Sequence, residues 1–387
     1  MKVTIFTDRQ TDRQTDRQTD RQTDRQTDRQ TDRQSNIELF RIFSMILILA
    51  HHYVFNSGLY DLFDYDNITP NMLFLQFFGA FGKYGINCFT IITGYYMVNR
   101  EPKIKKFIKI WSEVLFYNIA IFLFFLIFGY GKFSLSEFLW QFFPMSRSAN
   151  TGYLGSMLLM LLLIPFLNKV LRNLRKKEYL FLLPLLIFVE SILPSINLND
   201  HYIELSWWLC IVYAVGGYLR RFQPKAMNNI LITGIGFIGC IVLMIISIYA
   251  IEFYKITYFP NPFFQCFDAN KFLPFIGSIF AFSFFNNLRM KYHRCINFMA
   301  AGAFGVLMIH ANSDTMRQWL WRDVLHNIDY YNAPLGTLMW RSIICVCLLY
   351  IVCALIDGMR RKIVESRMVQ CGYYIYLRIH SKIQRLN

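Results

Sequence analysis

From residue 36 to residue 358 the chain alternates long apolar stretches with short polar ones, at lengths that suit helices crossing a bilayer. The pattern predicts spans over 36–56, 84–98, 112–130, 152–171, 179–193, 207–219, 229–251, 272–288, 296–311 and 335–356. Several fall short of the usual ~20 residues. The apolar run over 71–98 is interrupted at Gly79, Gly82, Lys83 and Gly85, so a dip or amphipathic piece is expected before its spanning helix. The expected fold is therefore all-α: a polytopic membrane protein with about ten transmembrane helices.

Charge in the short loops tests that count. If both termini are cytoplasmic, the inner loops and the C-terminal tail hold twenty-three lysines and arginines, and the outer loops hold six. An excess of basic residues on alternate sides is the topology signal of inner-membrane proteins. The loop over 57–70, with Asp61, Asp64 and Asp66 and no lysine or arginine, reads as an outer one.

Outside the spans lie two polar segments. Residues 1–35 form a tail with seven copies of Thr-Asp-Arg-Gln, free of apolar residues within the copies and expected to be disordered. The period also carries genetic information. Four residues are three tetranucleotides, and ACAG repeated reads ACA-GAC-AGA-CAG, the codons for Thr, Asp, Arg and Gln. Gain or loss of one unit would shift the reading frame, which predicts phase-variable expression. Residues 359–387 form a basic cytoplasmic tail, leaving 36–358 as the transmembrane domain.

Composition narrows the class. With 55% hydrophobic and 18% aromatic residues and positive mean hydropathy, this is not a soluble enzyme on one anchor, and no globular domain of ~100 residues fits between the spans. The net charge of +15 would suggest nucleic acid in a soluble protein. Here the cations sit between spans and read as topology, so no nucleic-acid partner is expected. The nine cysteines show neither metal-like nor disulfide spacing, so no metal is expected. No cleavable secretory signal is expected either, because a long polar tail precedes the first span and no small-residue cleavage site follows it.

Candidate chemistry concentrates in the first span. The eleven steps from Arg41 to His52 turn a helix through about 1100°, three turns plus roughly 20°, so both share one face. Glu38 joins that face, and His51 points about 100° away. Arg41 and His52 are ~16 Å apart along the axis, about half of a ~30 Å hydrocarbon core. Ionisable groups inside a membrane default to function.

An arginine, ten intervening residues and a histidine on the first span resemble the signature of the acyltransferase 3 family of integral-membrane O-acyltransferases. Thr93, Gly94 and Tyr95 match the family's second segment, with threonine for the commoner serine. Gly216, Gly217, Tyr218, Leu219 and Arg220 resemble its Gly-Gly-Tyr-apolar-Arg helix end, and His310 its late histidine. The resemblance implies transfer of an acetyl group from cytoplasmic acetyl-CoA to a glycan or lipid-linked sugar acceptor in the bacterial inner membrane. It also implies His52 as general base, Arg41 with Glu38 to orient the donor or steady charge, and His310 as a further catalytic candidate. Lys106 and Lys109 stand where the family commonly has two arginines, and with Lys105 they are the expected donor-phosphate site. Lysine keeps the charge but loses the planar fork. A polytopic transporter or glycan polymerase, or a structural membrane partner, would share the composition. Dependence on a thioester donor separates them from the enzyme.

Overall fold

The computed structural model describes residues 34–143, 148–198 and 204–384. The repeat tract and the disorder expected of it therefore lie outside the described residues. Every regular element that is described is helical. In chain order these are α1 (Ser35–Phe55), α2 (Pro70–Gly79), α3 (Gly82–Met97), α4 (Ile104–Ile127), α5 (Leu135–Trp140), α6 (Ser148–Asn173), α7 (Lys176–Ile187), α8 (Leu205–Phe222), α9 (Ile230–Phe253), α10 (Phe272–Asn287), α11 (Arg294–Ala301), α12 (Ala303–His310), α13 (Asp314–Arg317), α14 (Leu335–Arg360) and α15 (Ser366–Ile383). A π-helical turn over Phe188–Ile192 extends α7 to Ser195.

The interrupted apolar run divides as expected, into α2 and α3. Thr69 caps α2 by accepting a hydrogen bond from the Met72 amide, and Pro70 occupies its first turn, where a missing N–H costs nothing. Helix α1 is the hub, packed by α2, α3, α10, α11, α12 and α14. Its start is pinned by side chains. Ser35 Oγ donates to Asn297 Oδ1 at 3.2 Å and accepts from the His293 amide at 2.8 Å, while Asn36 donates to the Phe285 carbonyl at 2.9 Å.

Among the described residues, six helices are long and apolar enough to cross a membrane by themselves: α1, α4, α6, α7 with its extension, α9, and α14 continuing into α15. The other expected spans are helices that fall short of that standard. Helices α3 and α10 have 16 residues each, α8 ends in Arg220 and Arg221, and Gly302 separates α11 from α12. Their position explains this. Helix α8 buries eleven of its eighteen residues and α3 ten of its sixteen, so neighbouring helices rather than lipid solvate them and selection for apolar length is relaxed.

Loops expected on the same side meet one another. At one end of the bundle Lys255 pairs with Asp66 at 2.7 Å, Arg322 lies 3.7 Å from Asp61, and Asn71 donates to the Tyr331 carbonyl. The hydrogen bond from Lys255, reinforced by its charge, holds the Asp66 carboxyl below its ordinary range. At the other end Arg172 pairs with Glu101 at 2.6 Å, Arg221 donates to the Leu171 carbonyl, and Asn287 donates to the Met227 carbonyl at 2.8 Å.

The expected basic tail is largely helical and docked. After α14 a π-helical turn over Arg361–Glu365 leads into α15, which runs beside the start of α4. A buried ionic cluster fastens this corner. Arg360 lies 2.8 Å from Asp357 and 3.0 Å from Glu113, Arg361 lies 2.7 Å from Asp357, and Tyr117 donates its hydroxyl to Asp357 at 2.9 Å. Gly305 makes room for it, because a Cβ there would stand 2.5 Å from the Asp357 carboxyl.

Candidate active site

One continuous helix carries the predicted stripe, and a second brings a partner to its C-terminal end. His310 closes α12, fully buried, and its Nε2 lies 2.9 Å from His52 Nδ1. The other nitrogen, His310 Nδ1, lies 2.6 Å from the Val306 carbonyl oxygen. A carbonyl only accepts, so in a neutral His310 the Nδ1 carries the proton and Nε2 presents a lone pair. His52 must then donate from its own Nδ1. Its Nε2 is left with the lone pair of a base, a tautomer set by a backbone carbonyl two hydrogen bonds away.

His51 points elsewhere. Its Nδ1 lies 2.8 Å from the Gly79 carbonyl at the end of α2, and its ring packs on Phe55 with centroids 4.3 Å apart. A Cβ at Gly82 would collide with it. These contacts make His51 a fastener between α1 and the α2–α3 corner.

Beside the histidine pair stands Trp321, edge-on to His310 at 6.1 Å and to Tyr53 at 6.4 Å. Trp321 is fully buried and its Nε1–H has no acceptor among the described residues. A buried donor without a partner costs ~1–3 kcal/mol unless a ligand satisfies it. The pattern of the sequence gives no sign of this residue, which lies between predicted spans.

At the N-terminal end of the stripe, the expected pairing of Arg41 with Glu38 is not made among the described residues. Arg41 Nε and Glu38 Oε2 are both buried without a hydrogen-bond partner among the described residues. Three residues along a helix brings side chains near each other, but whether they bond depends on what else each faces. Their polar atoms are therefore available to a bound group.

The three candidate lysines sit on the first turns of α4 rather than in a loop. Lys109 pairs with Glu365 at 2.7 Å, Lys105 lies 4.7 Å above the Tyr373 ring, and Lys106 is exposed and partnered. Both named partners come from the segment after α14, whose docking no local pattern announces. A helix N-terminus flanked by cations still favours phosphate.

The remaining motifs meet where α3 crosses α8. A Cβ on Gly94 would strike the Tyr213 carbonyl, and one on Gly216 would lie 2.5 Å from the Ile91 carbonyl. Only glycine allows this backbone approach. The crossing sets Tyr95 beneath Arg220, 5.1 Å from ring to guanidinium, at the wall of a cavity of about 360 Å³ beside the start of α1, shared by Asn36 and Arg289. Arg289 is a basic lining residue that motif spacing does not reveal.

The acyltransferase 3 family model, an acyltransferase domain, matches residues 34–357, which hold every residue of the stripe, the lysine cluster and the α3–α8 crossing. No curated protein and no solved structure matches the chain.

Proposed function

Because the chain belongs to the acyltransferase 3 family and is a membrane acyltransferase, we propose that it moves an acetyl group from cytoplasmic acetyl-CoA to a hydroxyl of a bacterial surface glycan, such as lipopolysaccharide or a lipid-linked oligosaccharide. The observation that carries this reading is the His52–His310 pair, which leaves His52 Nε2 as a base inside the segment matched by the family. In this reading the protein crosses the bacterial inner membrane about ten times, with both termini in the cytoplasm. The paired loop contacts and the basic excess on one side support it.

The chemistry follows from the residues. His52 Nε2 takes the proton of the acceptor hydroxyl as that oxygen bonds to the acyl carbon, and a positioned base contributes typically ~10²–10⁴-fold. The tetrahedral oxyanion then collapses with cleavage of the thioester C–S bond, and coenzyme A leaves as the thiol, its sulfur taking the proton back from His52. Between the two proton transfers the positive charge on His52 is steadied through its Nδ1–H by His310, itself held by the Val306 carbonyl. Trp321 Nε1–H supplies a hydrogen bond to the oxyanion, the electrostatic part of the catalysis. Acetyl-CoA, when bound, supplies the activated acyl group. Lys105, Lys106 and Lys109 would hold its phosphates from the inner face, with Arg41 to orient it or steady charge further in. The orphaned Arg41 Nε fits such a group.

The test uses full-length protein in vesicles, acetyl-CoA labelled in the acetyl group, and envelope glycan from the source strain lacking the gene. Label should pass to the glycan. Label that stays on the donor, with glycan supplied on both sides, would overturn the assignment of acetyl-CoA as donor and glycan as acceptor. The repeat tract is further proposed to switch expression by frame-shifting. An uninterrupted tetranucleotide run in the gene supports it, and scattered synonymous codons refute it.

A further inference from the structure

Resting on the reading above, we infer that the cavity between α4, α5 and the α12–α13 connection is the acceptor subsite, and that it binds one pyranose ring of the glycan. It has a volume of about 280 Å³, just below the ~300–1,000 Å³ usual for small-molecule sites. That suits a single small ring better than an extended chain.

Its position follows from the catalytic pair. Asn312 lines the cavity and stands two residues after His310, a reach of at most ~7 Å along the backbone. The lysine cluster is at the far end of α4, so this cavity and the donor's phosphate site open to opposite ends of the bundle. A hydroxyl held here approaches His52 from the outer side.

Its lining has the chemistry of a sugar site. Trp140 and Tyr130 border it, 43% and 49% exposed. Large aromatic faces with a polar edge pack against the C–H faces of pyranoses while water solvates the rest. Polar groups come from a line of amides. Asn312 Nδ2 donates to Asn118 Oδ1 at 2.9 Å, Asn118 Nδ2 donates to the Gln141 carbonyl at 3.2 Å, and Gln141 Nε2 donates to the Glu137 carbonyl at 2.9 Å. This fixes the amides on three elements and ties α5 to α4. The side-chain oxygens of Asn312 and Gln141 accept no bond among the described residues, so each can receive a sugar hydroxyl. An apolar wall with a few fixed polar groups is the usual design of a selective small-ligand pocket.

The experiment measures initial rates in vesicles containing the full chain, varying envelope glycan from the source strain lacking the gene, beside acetyl-CoA hydrolysis without glycan. Trp140→Ala and Gln141→Ala should each raise the glycan KM about tenfold or more, with donor KM and glycan-independent hydrolysis within twofold of the parent. Trp140→Phe should recover most of the loss, which a merely structural role would not require. Glycan KM values within twofold of the parent for both alanine variants overturn the subsite while leaving acyl transfer intact. So does a Trp140→Ala defect that follows the phosphatidylethanolamine content of the vesicles rather than glycan concentration, which would mark a lipid-headgroup site. A parent protein that transfers no label to glycan removes the glycan-acetylation reading, and the subsite with it.

Discussion

Replacing His310 probes the two-histidine arrangement more sharply than replacing His52. Alanine at 310 removes the acceptor of His52 Nδ1–H, 2.9 Å away, inside a site where His310 is fully buried. A neutral hydrogen bond is worth ~0.5–1.5 kcal/mol net, so its loss relaxes the preference for the reactive tautomer by about 2- to 13-fold. Once His52 is protonated the same bond is charge-assisted and worth ~1.5–3 kcal/mol, a factor of about 10 to 150 in the rate. His310→Ala should therefore cost about 10- to 100-fold. His52→Ala should cost the whole base, ~10²–10⁴-fold. Glutamine at 310 can still accept through Oε1 and should recover part of the loss. His51→Ala, which frees the Gly79 carbonyl, should lower thermal stability and leave the rate within about tenfold of the parent, because the bond it loses is a ~1 kcal/mol fastener outside the relay. The assay is initial-rate acetylation of envelope glycan at matched amounts of inserted protein. Parent-like rates in His310→Ala, or a deeper loss in His51→Ala than in His52→Ala, would refute the reasoning.

Three further outcomes are expected. Gly216→Ala should lower the melting temperature in detergent by forcing α8 off α3, an overpacking of ~1–3 kcal/mol, whereas Gly239→Ala, with nothing within 4 Å of its Cβ, should be neutral. Asp357→Asn leaves Arg361 without its carboxylate and Arg360 with less than its share, and should destabilise by ~3–5 kcal/mol in thermal unfolding. Lys106→Ala with Lys109→Ala should weaken donor binding, read by isothermal titration, with a loss that shrinks as salt rises, since exposed charges are screened over ~10 Å at 0.1 M. Arginine at both positions should be tolerated, and unchanged affinity would show that these charges serve topology.

The sequence by itself determined what a one-dimensional pattern can encode. Apolar length marked the ten expected spans but not the short helices α5 and α13 between them, the glycines at 79, 82 and 85 located the break between α2 and α3, and helical periodicity set Arg41 and His52 on one face and His51 off it. Local rules reach about one helix. The meeting of His52 with His310, 258 residues apart, and the carbonyl that sets their tautomers arise from packing α12 against α1. So do the burial of Trp321, the unpartnered atoms of Arg41 and Glu38, and the capture of Lys109 by Glu365. The four expected spans that are short, interrupted or charged-ended make the same point. Helices solvated by other helices need not carry the apolar length that lipid demands, so their signal fades where the tertiary structure shelters them.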